Sequence, residues 1–212
     1  MLRTDELKNS IDYLEKAIYH YKNQEDEYWF KWLTISLHGA LYGFGVCAVQ
    51  GSSASLRVLE NPSKKRINEL LPLLTGRYFL STDNSIPNDH LEVLADEHSL
   101  ILIKRLAESH LNDIWTVLDK CENNDFMDQN TESKVLVRSD LQIKAINKLV
   151  EYRNDFSHFK PKSLTIITDG DKWMIQEVVK VIKFLALDSN NVSYYTDEAK
   201  ERVLYLLDQF EV

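Results

Sequence analysis

The sequence contains little glycine, proline or cysteine. Its 212 residues include six glycines and four prolines, so long flexible linkers are not expected and most segments are free to form helices. The two cysteines, Cys47 and Cys121, lie far apart in unlike settings. That arrangement does not suit a disulfide framework and favours a reducing cytoplasm. We expect Cys47 to be a small core residue and Cys121 to be an exposed thiol.

Segments that would suit a membrane, a cofactor or a metal are also lacking. Charged residues run through the first twenty positions, which is unlike a signal peptide. The longest apolar stretch, around residues 33–49, is interrupted by Ser36, His38 and several small residues. It predicts a buried helix rather than a membrane span, which needs about 20 mostly apolar residues. Neither a phosphate-cradling glycine-rich loop nor a His-Glu-x-x-His spacing occurs, so we expect no cofactor and no metal.

Acidic residues outnumber basic ones, and the charge is distributed unevenly. The chain has 33 acids and 25 bases, for a formal net charge of −8. This balance is not typical of a protein that coats nucleic acid, because such binding rests on Lys and Arg neutralising phosphates. Residues 138–163, however, contain six bases and three acids. A basic segment therefore interrupts an otherwise acidic chain.

The spacing of apolar residues predicts helices along most of the chain. Steps of three and four predict a helix over residues 5–22, and the nearly all-apolar stretch 28–50 predicts a central one. Within the latter, Gly39 and Gly43 lie one turn apart on one face and predict close approach of another backbone. Further helices are expected over 61–74, 88–118, 173–187 and 196–210, and after the capping-box pattern Ser139-Asp-Leu-Gln142.

Together these patterns predict an all-α helical bundle. We expect a single domain over residues 1–212, with the helices at 5–22 and 196–210 as elaborations. A short extended segment is expected near 164–168, and the acid-rich stretch Asp119–Glu132 predicts an exposed loop.

Residues suited to chemistry are concentrated in the segment Arg153-Asn-Asp-Phe-Ser-His158. Arginine presents a planar fork of donors that fits a phosphate, and histidine exchanges a proton near neutrality. Such a pair suits RNA cleavage without a metal, with the 2′-hydroxyl as nucleophile. That reaction needs both a base and an acid, and one histidine supplies only one of them.

The spacing of the two residues affects how they could act together. Five residues of continuous helix turn by about 500°, so Arg153 and His158 point about 140° apart. Asn154 and His158, four residues apart, share a face. The arginine and the histidine are therefore poor partners on one helix, whereas a symmetric dimer would bring two copies of each to one groove.

The same segment resembles the Arg–polar–His motif of the HEPN (higher eukaryotes and prokaryotes nucleotide-binding) superfamily. The resemblance includes the asparagine after the arginine, the continuation His158-Phe-Lys-Pro161, and residues 31–41, Lys-Trp-Leu-Thr-Ile-Ser-Leu-His-Gly-Ala-Leu, which are similar to a group of bacterial HEPN-like proteins. It implies a HEPN-type bundle, a homodimer and, in active members, a metal-independent ribonuclease of toxin–antitoxin or phage-defence systems. By position, Arg153 and His158 would be catalytic, with Asn154 as the adjacent polar residue. RNA would be the substrate, and an antitoxin or defence protein the partner.

Other interpretations remain open. Some superfamily members carry, two residues after the histidine, a tyrosine whose modification silences them; Lys160 occupies that position here, so this form of control is not expected. The superfamily also contains inactive members, so a non-catalytic module that binds nucleotide, RNA or a protein is one alternative. In another, Arg153 and His158 only satisfy the last carbonyls of a helix. We interpret His38 as a structurally satisfied core histidine, with a role beside the groove as the alternative.

Overall fold

A computed structural model describes residues 4–50, 56–60, 65, 110–157 and 168–210. Six α-helices account for most of these described residues, which confirms the predicted all-α bundle. The helices are α1 Glu6–Lys22, α2 Trp29–Gln50, α3 Ile114–Cys121, α4 Asp140–Ser157, α5 Lys172–Lys183 and α6 Asp197–Leu207. Two 3₁₀ turns, Leu56–Val58 and Thr168–Asp171, and a π-helical turn at Phe184–Asp188 complete the described elements.

The chain forms two compact units, one comprising Met1–Ser52 and Ile114–Val212, the other Ser53–Asp113. In the second unit, Leu59 pairs with Leu111 in an isolated antiparallel bridge. The helix predicted over 61–74 lies outside the described residues except for position 65, and that over 88–118 lies outside them up to residue 109. A single domain over 1–212 stays a prediction, because compact units can be parts of one domain.

Helices α1 and α2 approach each other closely at the two glycines. A β-carbon on Gly43 would lie 2.3 Å from the Oγ of Ser10 and 3.3 Å from its Cα, and one on Gly39 would lie 2.6 Å from the ring of Tyr13. Because residues 39 and 43 are glycines and carry no side chain, α1 can pack closely against α2. The predicted close approach of another backbone is confirmed at Gly43, whereas Gly39 meets the side chain of Tyr13.

Helix α2 is the centre of the first unit and packs against α1, α3, α4 and α5. Four large side chains of α2 are fully buried: Leu33, Leu37, Leu41 and Phe44. In the described part of the chain, α2 is also the one helix long and apolar enough to cross a membrane, a property that core helices of soluble proteins share. Since most of its apolar stretch is buried inside the fold, its packing matches the predicted central helix.

Helix α4 begins with the predicted capping box. The Ser139 hydroxyl accepts a hydrogen bond from the backbone N–H of Gln142 at 3.2 Å, and the Gln142 side chain accepts one from the Ser139 N–H at 2.9 Å. The buried face begins one turn later, with Ala145, Ile146 and Leu149. Leu141 lies one turn before Ala145 and is 48 % exposed, because it precedes the buried part of the helix.

Two predictions near the end of α3 need correction. Cys121 is fully buried rather than exposed, because it faces α2 where its thiol donates to the carbonyl of Gly45 at 3.7 Å. The acid-rich stretch Asp119–Glu132 begins inside α3, and only after Cys121 does it become turns with mostly exposed side chains. Two of its acids, Asp119 and Glu122, form ion pairs at 2.8 and 2.7 Å with the buried guanidinium of Arg138. That arginine is therefore neutralised by acids outside the basic segment.

The short extended segment expected near 164–168 falls mostly outside the described residues. Thr168 alone is described, and it begins the 3₁₀ turn Thr168–Asp171.

Candidate functional site

Helix α4 continues to Ser157, so Arg153 and Asn154 lie in its last two turns. His158 follows directly and lies outside the described residues, as do Lys160 and Pro161. The structure therefore places two of the three predicted site residues.

Arg153 lies at the margin of the buried face of α4. It follows Ile146 by seven residues and Leu149 by four, so the three side chains share one stripe of the helix. The first two are fully buried and Arg153 is half-buried. Its Nη1 donates a hydrogen bond to the Oδ1 of the half-buried Asn154 at 3.0 Å. The asparagine after the arginine thus orients the guanidinium.

His38 of α2 interacts electrostatically with Arg153. Burial and then the positive charge of Arg153 lower the pKa of His38 to about 4, so its imidazole is neutral at neutral pH. The ring of His38 also lies 6.5 Å from that of Tyr42, centroid to centroid. The sequence interpretation of His38 did not relate it to the charge of Arg153, because no periodicity relates residues on two different helices.

A second polar cluster lies on the other side of the same part of α4. The carboxylate of Asp171, whose side chain is 4 % exposed, accepts hydrogen bonds from the ammonium of Lys148 and the hydroxyl of Tyr152. Burial and the adjacent carboxylate raise the pKa of Tyr152. The ammonium of Lys148 also lies 5.7 Å from the ring centroid of Trp173. This cluster ties the turn Thr168–Asp171 to α4, and the sequence analysis did not identify it.

Aromatic contacts fix the position of α4 on α2. The ring of Phe30 meets that of Tyr152 edge to face, with centroids 5.3 Å apart, and Tyr152 stacks with Phe156 at 6.3 Å. An edge-to-face arrangement matches the positive edge of one ring with the negative face of the other. Tyr152 is therefore held by both an aromatic contact and a buried carboxylate, and Arg153 is the next residue.

Together, the guanidinium of Arg153, the carboxamide of Asn154 and the neutral imidazole of His38 suit a small oxyanion better than a metal ion. Among the described residues, no group of three or more His, Cys, Asp or Glu side chains could hold a metal. Three concavities of about 390, 400 and 430 Å³ lie elsewhere, and neither Arg153 nor His38 lines them.

Comparison with protein-family models, curated proteins and solved structures finds no match for this chain. The described residues form an all-α bundle in which α4 carries a half-buried arginine, bonded to the adjacent asparagine, near its carboxyl-terminal end. What that site does must therefore be inferred from its own residues.

Proposed function

We propose that this protein is a metal-independent endoribonuclease of the HEPN type, with an active site completed in the groove of a homodimer. The observation that supports this most is the state of Arg153. The guanidinium is half-buried and is bound by the neutral Asn154 rather than by an acid. Burial of a charge costs free energy unless a partner offsets it, so an anionic ligand is the natural partner of Arg153.

Arg138, which belongs to the same basic segment (residues 138–163), has a structural role and serves as a comparison for Arg153. The Arg138 side chain is 6 % exposed and forms ion pairs with two carboxylates, those of Asp119 and Glu122. Within the described part of the chain, Arg153 forms no ion pair with a carboxylate. Arg138 is therefore internally neutralised, whereas the charge of Arg153 is available to a phosphate.

The proposed reaction uses the RNA itself as the nucleophile. Arg153 would bind the scissile phosphate and stabilise the charge that develops on its oxygens. The 2′-hydroxyl loses its proton to a base, its oxygen forms a bond to phosphorus, and the bond from phosphorus to the 5′-oxygen breaks. The departing 5′-oxygen then receives a proton from an acid. His158 from each of two chains would serve as base and acid.

The same proposal includes the cellular setting in which the ribonuclease would act. A ribonuclease of this kind would act in the cytoplasm as part of a toxin–antitoxin or phage-defence system. An antitoxin or another defence protein would then be its partner.

The test is cleavage of mixed RNA by the purified protein in EDTA. We expect Arg153→Gln to slow cleavage by about 10²–10³-fold and His158→Ala by about 10²–10⁴-fold. Two matched controls, Arg202→Gln and His110→Ala, remove an exposed arginine and an exposed histidine and should cleave normally. Absence of cleavage by the wild type, or equal cleavage by all four variants, would contradict the proposal. A monomer in light scattering would contradict the shared groove.

The lack of a carboxylate partner for Arg153 among the described residues also favours a second candidate function for the protein. In it, the protein binds nucleotide, RNA or an acidic protein partner without cleaving anything. Affinity for RNA that survives His158→Ala, falls in Arg153→Gln and is unaccompanied by cleavage would distinguish this binding module from the enzyme.

A further inference from the structure

A cavity of about 390 Å³ lies beside the π-helical turn Phe184–Asp188. One wall is the loop of residues 130–132, which follows α3. The other is formed by the π-helical turn, the loop after it and Lys200 of α6. The volume lies at the lower end of the range of about 300–1,000 Å³ that is typical of small-molecule sites. The cavity therefore has the size of a site for a small metabolite.

Hydrogen bonds fix the two walls of this cavity to each other. The Nδ2 of Asn130 donates to the backbone carbonyl of Asn190 at 2.6 Å, and the Nδ2 of Asn190 donates to that of Glu132 at 3.2 Å. Asn190 has a φ of 56°, in the left-handed region that asparagine adopts more readily than most residues. The hydroxyl of Tyr194, which also lines the cavity, donates to the carbonyl of Ala186 at 3.1 Å. The cavity is thus largely preformed, as small-molecule sites usually are.

Two opposite charges line the cavity without pairing. Glu132 belongs to one wall and Lys200 to the other, and among the described residues neither side chain forms an ion pair. In the cavity between α1 and α6, by contrast, Arg202 and Glu15 form an ion pair at 2.5 Å. That pair is neutralised internally, whereas the charges of Glu132 and Lys200 are available to a ligand.

Apolar side chains and one neutral acceptor complete the lining. Ala186 and Leu187 come from the π-helical turn, and Val192 comes from the loop after it. The first is buried and the other two are half-buried. No described residue donates to the Oδ1 of Asn190, so this oxygen can accept a hydrogen bond from a ligand. A ligand that matches the whole lining needs an ammonium, a carboxylate and an apolar body.

We infer that this cavity is a binding site for a free α-amino acid with an apolar side chain. The carboxylate of the ligand pairs with the ammonium of Lys200, and its ammonium pairs with the carboxylate of Glu132 and the Oδ1 of Asn190. Its side chain lies against Leu187 and Val192, which removes apolar surface from water. A simple anion or cation would leave one charge of the cavity unmatched, whereas a zwitterion matches both. The site contains no residue of α4 and goes beyond the proposed function.

The experiment is a titration of the ¹⁵N-labelled full chain with L-leucine, followed by NMR. The backbone amide signals of residues 189–192 should shift and saturate. Two matched probes each lack one charge of leucine: 4-methylpentanoate has no ammonium, and 3-methylbutylamine has no carboxylate. We expect each of them to bind about 3–10-fold more weakly than leucine, the size of a charge-assisted contact at a partly exposed site.

Two variants remove the charges of the cavity one at a time. Glu132→Gln and Lys200→Gln should each weaken leucine binding by about 3–10-fold. In Glu132→Gln the affinity for 4-methylpentanoate should not fall, since this probe has no ammonium for Glu132 to contact. The matched controls, Glu151→Gln and Lys144→Gln, change exposed residues of α4 that do not line the cavity. Both should bind leucine like the wild type.

Absence of saturable shifts at about 10 mM leucine would overturn the inference, because a site with a Kd of about 1 mM or less is nearly full at that concentration. Equal affinity for leucine and either probe would also overturn it, since one of the two charges would then play no part in recognition. A loss of affinity in the α4 variants as large as in the cavity variants would show that leucine binds elsewhere, and the inference would be wrong. None of these measurements uses RNA, so their outcome is independent of the proposed ribonuclease.

Discussion

The contact between α1 and α2 differs in kind from the carboxyl-terminal half of α4. At the first, Gly43 brings the α1 backbone so close that an added β-carbon would lie 2.3 Å from the Oγ of Ser10. In the second, Lys148, Asp171 and Tyr152 are joined by hydrogen bonds, and the positive charge of Arg153 helps to lower the pKa of His38. The first contact depends on the missing side chain of Gly43. The second region depends on how its partly buried charged side chains are paired.

The two kinds of contact should therefore fail in different ways. Close packing is sensitive to any added volume and insensitive to pH. A partly buried polar cluster is sensitive to the loss of one partner and to protonation, because each remaining charge must still be accommodated. Substitutions in the two regions can be chosen to separate these responses.

The largest effect should come from Lys148→Met, which keeps most of the aliphatic stem and removes the ammonium. Among the described residues, the carboxylate of Asp171, 4 % exposed, then retains the hydroxyl of Tyr152 as its side-chain donor. We expect the free energy of unfolding to fall by about 3 kcal/mol, because a buried charge loses its counterion. Urea denaturation at neutral pH measures this value.

The control for this change is Lys180→Met. Lys180 forms an ion pair at 2.7 Å with Glu177 on the surface of α5, and its side chain is 50 % exposed. Exposed pairs contribute about 0–1 kcal/mol. A similar loss of stability in both variants would mean that the Asp171 cluster is not a buried ionic contact in the protein.

The next largest effect is a dependence of the unfolding free energy on pH that is caused by His38. In the unfolded chain its pKa is near the ordinary value of 6.5, whereas in the folded protein it is about 4. As the pH falls from 6.5 towards 4, the unfolded state takes up the proton first, so acid favours unfolding. The contribution of neutral His38 is thus complete above pH 6.5 and declines below it, by about 2–3 kcal/mol at pH 4.5.

Comparison with His38→Gln isolates this contribution, since other groups titrate equally in both proteins. The difference in unfolding free energy between wild type and variant should change by that amount between pH 7 and pH 4.5, measured by urea denaturation. Arg153→Gln should reduce the change without abolishing it, because burial is the larger cause of the lowered pKa. Parallel pH profiles for wild type and His38→Gln would show that His38 is not held neutral by the fold.

The helices were predictable because their signals are local. The spacing of apolar residues located α1 and α2, and the capping box at Ser139 located the start of α4. The helix predicted from residue 196 begins with the N-cap Thr196, whose hydroxyl accepts a hydrogen bond from the N–H of Ala199 at 3.3 Å. Gly43 was informative because a glycine in a helix interior lowers helix propensity and so implies a compensating contact.

The partners of each helix were not predictable, because periodicity shows which face is buried and not what covers it. The pairing of Lys148 with Asp171 was missed for this reason. Cys121 was expected to be exposed because it falls in the acid-rich stretch Asp119–Glu132, whose start in fact belongs to α3. Within the site, the sequence singled out Arg153 and Asn154, which a hydrogen bond joins; their catalytic role stays a prediction. The role of His158 stays a prediction, since that residue lies outside the described part of the chain.

The smallest effects should come from the close contact of α1 with α2. Gly43→Ala adds a β-carbon 3.3 Å from the Cα of Ser10, so the two backbones must separate. We expect a loss of about 1–2 kcal/mol, because overpacking at about 1–3 kcal/mol exceeds the gain in helix propensity of about 1 kcal/mol. In Gly39→Ala the nearest atoms to the added β-carbon belong to the ring of Tyr13, at 2.6 Å, and this 40 % exposed side chain must shift towards solvent. The net effect should be within about 0.5 kcal/mol.

A double-mutant cycle with Ser10→Gly tests whether the steric contact causes the loss. Removing the Ser10 side chain eliminates the contacts of 2.3 and 3.0 Å that a β-carbon at Gly43 would make, leaving the one to Cα. Gly43→Ala should therefore cost about 1 kcal/mol less in the Ser10→Gly background than in the wild type, a coupling of the size expected for residues in contact. The same cycle with Gly39→Ala should show no coupling. If the cost of Gly43→Ala were equal in both backgrounds, close approach to Ser10 would not be the reason for a glycine at this position.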